Sequence, residues 1–308
     1  MKKIIFIAMC VFSYPVTTLS ETTNYEKQVL KSGEKEIHYY LLKNTSKKTE
    51  NLLVLIQGSD CKSILNNQNI MANFSQILPN SDILLVEKTG LTPQTGKENE
   101  SALTEDCPIV YMQNDSYYER VDNYITVLNE IKKDYKNIVL LGGSEGAIVT
   151  NIIASKIDFI DASISLNGGG QYFIDDVIYS IKNSVPSEEV EASTEGFKQF
   201  ANAVLQNQLE DDQFPSNHGK NWWYEALTID NKKLLESVNK PHLVIQTLAD
   251  INVDVESSEK MMNDIANPNI TYKTYPTLDH YFKDSSGNNH TSVIVNDIQH
   301  WYTTIKVK

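Results

Sequence analysis

The sequence predicts an α/β fold: a mostly parallel central sheet flanked by helices, with a helical cap insertion. Three observations lead there. Short apolar runs recur at residues 52–56, 82–86, 137–141 and 242–247, as strands buried on both faces require. Segments with apolar residues at helical spacing alternate with these runs, so successive strands are joined by crossovers. One run breaks at Gly142-Gly143-Ser144-Glu145-Gly146, a serine flanked two residues away on each side by glycine, between a strand-like and a helix-like segment.

Each element follows from its local pattern. Residues 28–31 and 36–42 are β-rich and separated by Ser32-Gly33-Glu34, which predicts an N-terminal antiparallel hairpin. The runs 52–56 and 82–86 are strands, and 62–78 supplies a connecting helix. Residues 91–114 are polar, contain Pro93, Gly96 and Pro108, and read as a long loop. Tyr118, Val121, Tyr124, Ile125, Leu128 and Ile131 then form a helical stripe within 116–136 that leads into strand 137–141. A helix over 147–154 and a strand over 158–166 follow the serine. Residues 172–235 break the alternation, being rich in helix formers and acids. An insertion there predicts a helical cap over the strand ends, where open α/β sheets place ligands, on a core made of 21–171 and 236–308. Strands 242–247 and 270–275 resume the sheet, and 291–305 closes the chain as a helix.

Composition narrows the function. A chain of 308 residues, 41% hydrophobic, suits one large domain with an insertion. Its net charge of -13 argues against nucleic acid and acidic membrane surfaces as partners. Arg120 is the only arginine, so an arginine clamp for phosphate is not expected. Neither His-Glu-x-x-His nor Cys-x-x-Cys occurs, and no cofactor motif is present, so neither metal nor cofactor is expected.

The N-terminus has a basic start, Met1-Lys2-Lys3, and a short apolar stretch over 4–12. Residues 1–20 therefore read as a secretory signal peptide, too short to span a bilayer stably. The protein is expected to be exported, periplasmic or secreted, without a stable membrane span after signal removal. The bulky Met9 before Cys10 argues against lipidation. Removal of the signal leaves Cys61 and Cys107, and two cysteines in an exported chain favour a single disulfide.

A serine hydroxyl is a weak nucleophile and needs an adjacent base, itself oriented by an acid. Ser144 is the candidate nucleophile. Asp250, on the loop after strand 242–247, is the candidate acid, with Asp254 close enough to compete. Four of the six histidines are discounted by position: His38 in the hairpin, His218 in the cap, His242 opening a strand and His300 in the last helix. His280 follows the final strand directly and is preferred as base over His290, which lies further out in a Gly-Asn-Asn stretch.

The oxyanion of an acyl-transfer intermediate needs backbone donors fixed in advance. The N–H of Glu145 is one candidate. The other comes from Gln57-Gly58-Ser59-Asp60-Cys61, with Ser59 preferred and Gly58 and Asp60 left open. The Glu145 side chain either acts near the nucleophile, repelling anionic substrates or bonding a loop, or simply starts a helix. Trp222, Trp223 and Tyr224 either line an apolar acyl pocket or, as aromatic clusters more often do, fill the core of the cap.

The three segments Gly142 to Gly146, Asp250 with Val253, and Asp279-His280 resemble the catalytic segments of the α/β-hydrolase superfamily. The chain is similar to a secreted bacterial member from the strand before Gln57 to the closing helix, with Gln57-Gly58 where many members carry His-Gly. Its layout also resembles the catalytic domain of prolyl-oligopeptidase-like peptidases, though no propeller domain fits this length. The resemblance implies a serine hydrolase that cleaves a carboxylic ester through an acyl-enzyme, with a small-molecule ester or acyl substrate. A peptidase or amidase with the same residues is the first rival, and a binding protein that kept the fold without the chemistry is the second.

Overall fold

The computed structural model describes residues 25–44, 48–67, 70–95 and 107–306. The expected signal peptide over 1–20, with Cys10, lies outside them. Eight strands form one sheet: β1 (Tyr25–Ser32), β2 (Lys35–Leu42), β3 (Asn51–Ile56), β4 (Asp82–Val86), β5 (Asn137–Gly143), β6 (Ala162–Leu166), β7 (His242–Thr247) and β8 (Ile270–Tyr275). Their order is β1-β2-β4-β3-β5-β6-β7-β8. The hairpin β1–β2 joins the sheet antiparallel through β4, and all pairs from β4 to β8 are parallel.

This order contains a reversal that positions the site. From β3 the chain crosses to β4 on one side, then returns to place β5 on the other, so the connections leaving β3 and β5 diverge. A crevice opens where such connections separate, at the carboxyl ends of the two strands. Register sets Ile56 beside Gly142 at those ends.

The period-2 alternation of the buried strands divides the core. Leu52, Val54 and Ile56 of β3, with Ile138 and Leu140 of β5, pack on one face; Leu53, Leu55, Val139 and Leu141 pack on the other. The first face is covered by α2 (Tyr117–Ile131) and α3 (Glu145–Lys156), the second by α9 (Thr291–Lys306) with Ile64, Phe74, Ile77 and Leu78. Helix α2 starts where the Ser116 hydroxyl accepts from the Glu119 N–H at 3.1 Å, an N-cap. Its buried stripe is Tyr117, Val121, Tyr124, Leu128 and Ile131, while Tyr118 is exposed.

Residues 62–78 differ from the expected helix. They form a 3-10 turn at Ile64–Asn66 and a π-type turn at Ile70–Phe74. Other bonds claim the backbone: buried Glu87 takes the Ser63 hydroxyl at 2.7 Å and the Ile64 N–H at 3.0 Å. Asn66 donates to the carbonyls of Pro93 and Thr95, and Asn67 accepts from the Ile70 N–H, side-chain bonds that compete with helix formation. The region expected as a loop over 91–114 ends in a short helix, α1 (Ile109–Asn114), and β6 starts at Ala162, four residues later than expected. There Asp161 accepts the Ile138 N–H at 2.8 Å and forms part of the turn into the strand.

Between β6 and β7 lie α4 (Phe173–Ser184), α5 (Val190–Leu205), α6 (Lys220–Thr228) and α7 (Asn231–Glu236); α8 (Val255–Asp264) follows β7. The inserted helices pack against α2 and α3, with Phe197, Phe200, Trp222 and Trp223 meeting edge to face or tilted. Among the described residues, no helix is long and apolar enough to cross a membrane.

Cys61, on the loop after β3, is bonded to Cys107, just before α1, with a Cα separation of 5.7 Å. The closed loop spans a sequence separation of 46 residues, so the bond restricts the unfolded chain by up to about 4 kcal/mol in the chain-entropy model. Cys61→Ser with Cys107→Ser, or reduction of the native protein, is expected to lower the thermal midpoint by several degrees. An unchanged midpoint with and without reductant would remove the bridge from the forces holding this loop.

Candidate active site

Ser144 sits between β5 and α3 with φ 55° and ψ −127°, a conformation that L-residues rarely adopt. Two hydrogen bonds hold it there: its N–H donates to the Leu166 carbonyl at 2.8 Å, and its carbonyl accepts from Ala147 at 2.9 Å. The flanking glycines are required by contact. A Cβ on Gly142 would overlap the Gly146 carbonyl, and one on Gly146 would overlap the Ile56 carbonyl and lie 2.7 Å from that of Gln57. Only bare backbone lets α3 start so close to the end of β3.

Ser144 faces a cavity of about 320 Å³, walled by Gly58, Ser59 and Asp60 on one side and by His280 and Phe282 on another. His280 lies on the loop between β8 and α9, and its Nδ1 is 2.7 Å from Oδ2 of Asp250. Asp250 is fully buried, and its other oxygen accepts the Asn252 N–H at 2.8 Å. An ionised carboxylate only accepts, so Nδ1 carries the proton and Nε2 is left as a base. Asn167 fixes the His280 backbone by donating to its carbonyl at 3.0 Å. No hydrogen bond joins Ser144 to His280 among the described residues; such contacts commonly tighten only when substrate is present.

The competing groups have other partners. Asp254 caps α8 by accepting from the Ser257 N–H at 3.0 Å. His290 has its Nε2 engaged by Asp284 at 2.9 Å. His242 is buried between the hydroxyls of Ser163 and Ser165, and burial pushes its pKa down to about 3, so it stays neutral. Gly58 packs beside the elbow: a Cβ there would lie 3.4 Å from the Gly143 carbonyl and 3.7 Å from the Ser144 Cβ. Glu145, as the first residue of α3, has an N–H with no helical carbonyl to bond, and Ser59 lines the cavity.

The Glu145 side chain turns away into the protein. It accepts from Arg120 and from the Trp222 indole at 2.8 Å, and Lys88 lies 3.5 Å away. Behind this group, Asp115 accepts from the Tyr111 hydroxyl at 2.7 Å and bonds His218 at 3.1 Å. Burial alone would raise the Asp115 carboxyl, but Lys88, the His218 hydrogen bond and Arg120 outweigh it and hold it at about 2. Asp115, Glu145 and His218 bring potential metal-ligand atoms within 4.8 Å of one another. Lys88 and Arg120 already balance the two carboxylates, so a dication there would face two buried cations.

Of the two readings of Trp222, Trp223 and Tyr224, the structure favours packing, the alternative preferred from the sequence, over an acyl pocket. Trp222 and Trp223 belong to the core between the insertion, α2 and α3, and Tyr224 is half exposed. Among the described residues, the cavity lining takes nothing from 172–235; the helical face of the insertion is spent on packing. From the sequence, Arg120 served only to argue against a phosphate clamp, and Lys88 had no role beyond its charge. The signal was there, since Tyr117, Arg120, Tyr124 and Leu128 share one apolar helical face and an arginine in such a stripe needs a buried acid.

This sheet, with its serine elbow and its acid and histidine at later strand ends, defines an esterase-like α/β hydrolase. Residues 115–282, more than half of the chain, match the family described as BAAT / acyl-CoA thioester hydrolase C terminal. The protein belongs to that family, a hydrolase of esterase, acyl-thioester or peptidase type. Est1E from Butyrivibrio proteoclasticus is similar in structure, with TM-score 0.57 and 15% identity over 92% of this chain and 99% of that one. A lipase-esterase related protein from Clostridium acetobutylicum superposes with TM-score 0.53 at 21% identity, over 86% of this chain and 98% of that one. The acylaminoacyl peptidase of Pyrococcus horikoshii gives TM-score 0.57 at 14% identity, and the match covers 92% of this chain and 42% of that one. At these identities the likeness is one of fold. No curated protein matches the sequence.

One buried acid ties the insertion to the loop carrying Asp250. Asp176 of α4 accepts the N–H groups of Asp254 at 2.8 Å and Gly170 at 3.2 Å. Burial pushes its pKa up from 3.8 to about 7, against the pull of those two bonds. The folded state therefore holds a proton that the unfolded state releases, and the stability this gives is complete below pH 4 and lost as pH rises to about 7. Asp176→Asn is expected to remove that slope, becoming more stable relative to wild type at pH 8 than at pH 5 in denaturant titrations. Parallel profiles for the two proteins would contradict it.

Proposed function

We propose that the protein cleaves a carboxylic ester through an acyl-enzyme. Ser144 Oγ attacks the ester carbonyl while His280 Nε2 takes its proton, and the N–H groups of Glu145 and Ser59 meet the developing oxyanion. Collapse of the intermediate breaks the ester bond, and the imidazolium returns its proton to the leaving alcohol. Water, deprotonated by His280, then releases the acid and restores the serine. Asp250 orients the imidazole throughout. The observation carrying this reading is the 2.7 Å bond from His280 to buried Asp250, on the wall of the cavity that Ser144 faces.

The cavity favours an uncharged acyl group. Asp60 stands on its wall, and no lysine or arginine lines it among the described residues. A thioester is the second reading, favoured by the family match, and the same acyl-enzyme steps apply with a thiol as leaving group. We also infer export, periplasmic or secreted. The bonded pair Cys61–Cys107 supports it, because such bridges persist in oxidising compartments.

The test is labelling by a fluorophosphonate probe, wild type beside Ser144→Ala, followed by turnover of p-nitrophenyl esters, acyl-CoA thioesters and aminoacyl anilides. Ser144→Ala and His280→Ala are expected to lower kcat by roughly 10⁴- to 10⁶-fold, and Asp250→Asn by about 10⁴-fold. His290→Ala should match wild type. A folded wild type that takes no label would sink the serine mechanism, and anilides turned over faster than either ester class would move the protein to the peptidases.

A further inference from the structure

We propose that Arg120 is a positioning residue for the oxyanion loop, an inference that rests on the ester reading above. The guanidinium is 3% exposed and reaches two segments at once. One terminal nitrogen donates to Glu145, the residue after Ser144, and the other donates to the Gln57 carbonyl, at the start of the loop Gly58-Ser59-Asp60. Arg120 therefore joins the two stretches whose N–H groups must converge on one oxygen.

Other contacts hold this arrangement in one geometry. The second oxygen of Glu145 is taken by the Trp222 indole at 2.8 Å, which fixes the carboxylate that Arg120 grips. Lys88 donates to the Asp60 carbonyl at 3.0 Å, anchoring the far end of the same short loop. A trans peptide turns its N–H opposite to its carbonyl, so holding the Gln57 carbonyl from the buried side fixes the direction of the Gly58 N–H, and with the Asp60 carbonyl held as well, Ser59 is confined between two anchored peptides.

Stability alone is a poor reason for these charges. Burying an ion pair costs desolvation that its attraction only about offsets, and an apolar group of similar shape commonly does as well. What the pair supplies is direction, since a planar guanidinium holds two acceptors in a fixed fork and an ammonium does not. The only arginine of the chain stands at the position where one side chain must bridge the elbow and the loop.

The experiment compares wild type, Arg120→Lys and the double variant Arg120→Met with Glu145→Met, which removes both charges together and leaves Lys88 with Asp115 as the remaining opposite charges. Thermal midpoints establish folding, and kcat and KM are measured with p-nitrophenyl acetate and acetyl-CoA. Misplaced donors weaken the transition state and not the resting complex, so kcat should fall about 10- to 100-fold in both variants with KM within about 3-fold of wild type. A folded variant with kcat near wild type overturns the positioning role and leaves the ester reading intact. A rise in KM with kcat unchanged, or failure of both variants to fold, overturns it in favour of substrate binding or plain stability respectively. A wild type that takes no fluorophosphonate and turns over neither substrate overturns the ester reading and the positioning role together.

Discussion

The site depends on how closely the start of α3 approaches the end of β3. Gly146 lies against the carbonyls of Ile56 and Gln57, and Gly142 against Gly146 itself, so the chain can reverse from strand to helix within a space that no side chain would fit. That contact places Ser144 in its strained conformation and, in the same step, sets it beside the loop that follows β3. A methyl group at either glycine would push the start of α3, and Ser144 with it, away from the loop after β3. The strain at Ser144, of order 1–3 kcal/mol, persists because its backbone is bonded on both sides.

Around this contact the protein places two supports of different chemistry. On the cavity side, Asp250 and His280 meet at strand ends through one short hydrogen bond, and Asn167 secures the backbone that carries the imidazole. On the buried side, Arg120, Lys88, Glu145 and Asp115 form a balanced set of charges beneath the elbow, closed by Tyr111, His218 and Trp222. The low dielectric there makes any unpaired member costly, so the set is rigid as long as it is complete. The disulfide, which ends the loop at Cys61, works on the same segment by restricting the chain.

The inserted helices take a different part from that of a roof over the cavity. Their aromatic side chains complete the core on the α2 and α3 face, and α6 delivers Trp222 to Glu145. Helix α4 backs the loop of Asp250, where Asp176 receives the Asp254 N–H and the Tyr179 hydroxyl reaches the Asp250 carbonyl at 3.4 Å. The cavity is lined instead by the segments flanking the crevice, among them Ile70, Phe74 and Tyr281.

The fold class was legible in the sequence because its causes are local. Continuous apolar runs mark strands buried on both faces, and the glycines around Ser144 record a steric requirement that any sequence building this turn must meet. Asp250 and His280 could be singled out because each directly follows a strand. Three things needed the tertiary structure. Residues 62–78 are long enough to supply a connecting helix, yet Glu87 and the loop carbonyls at 93 and 95 draw their polar groups into turns. Trp222 and Trp223 were apolar enough for either a pocket or a core, and only packing against α2 and α3 decided between them. The partnership of Arg120 with Glu145 and Gln57 spans sequence separations of 25 and 63 residues. Charge type is written in a sequence, but which charges share a low-dielectric interior is set by the folded chain, and that decides what they do.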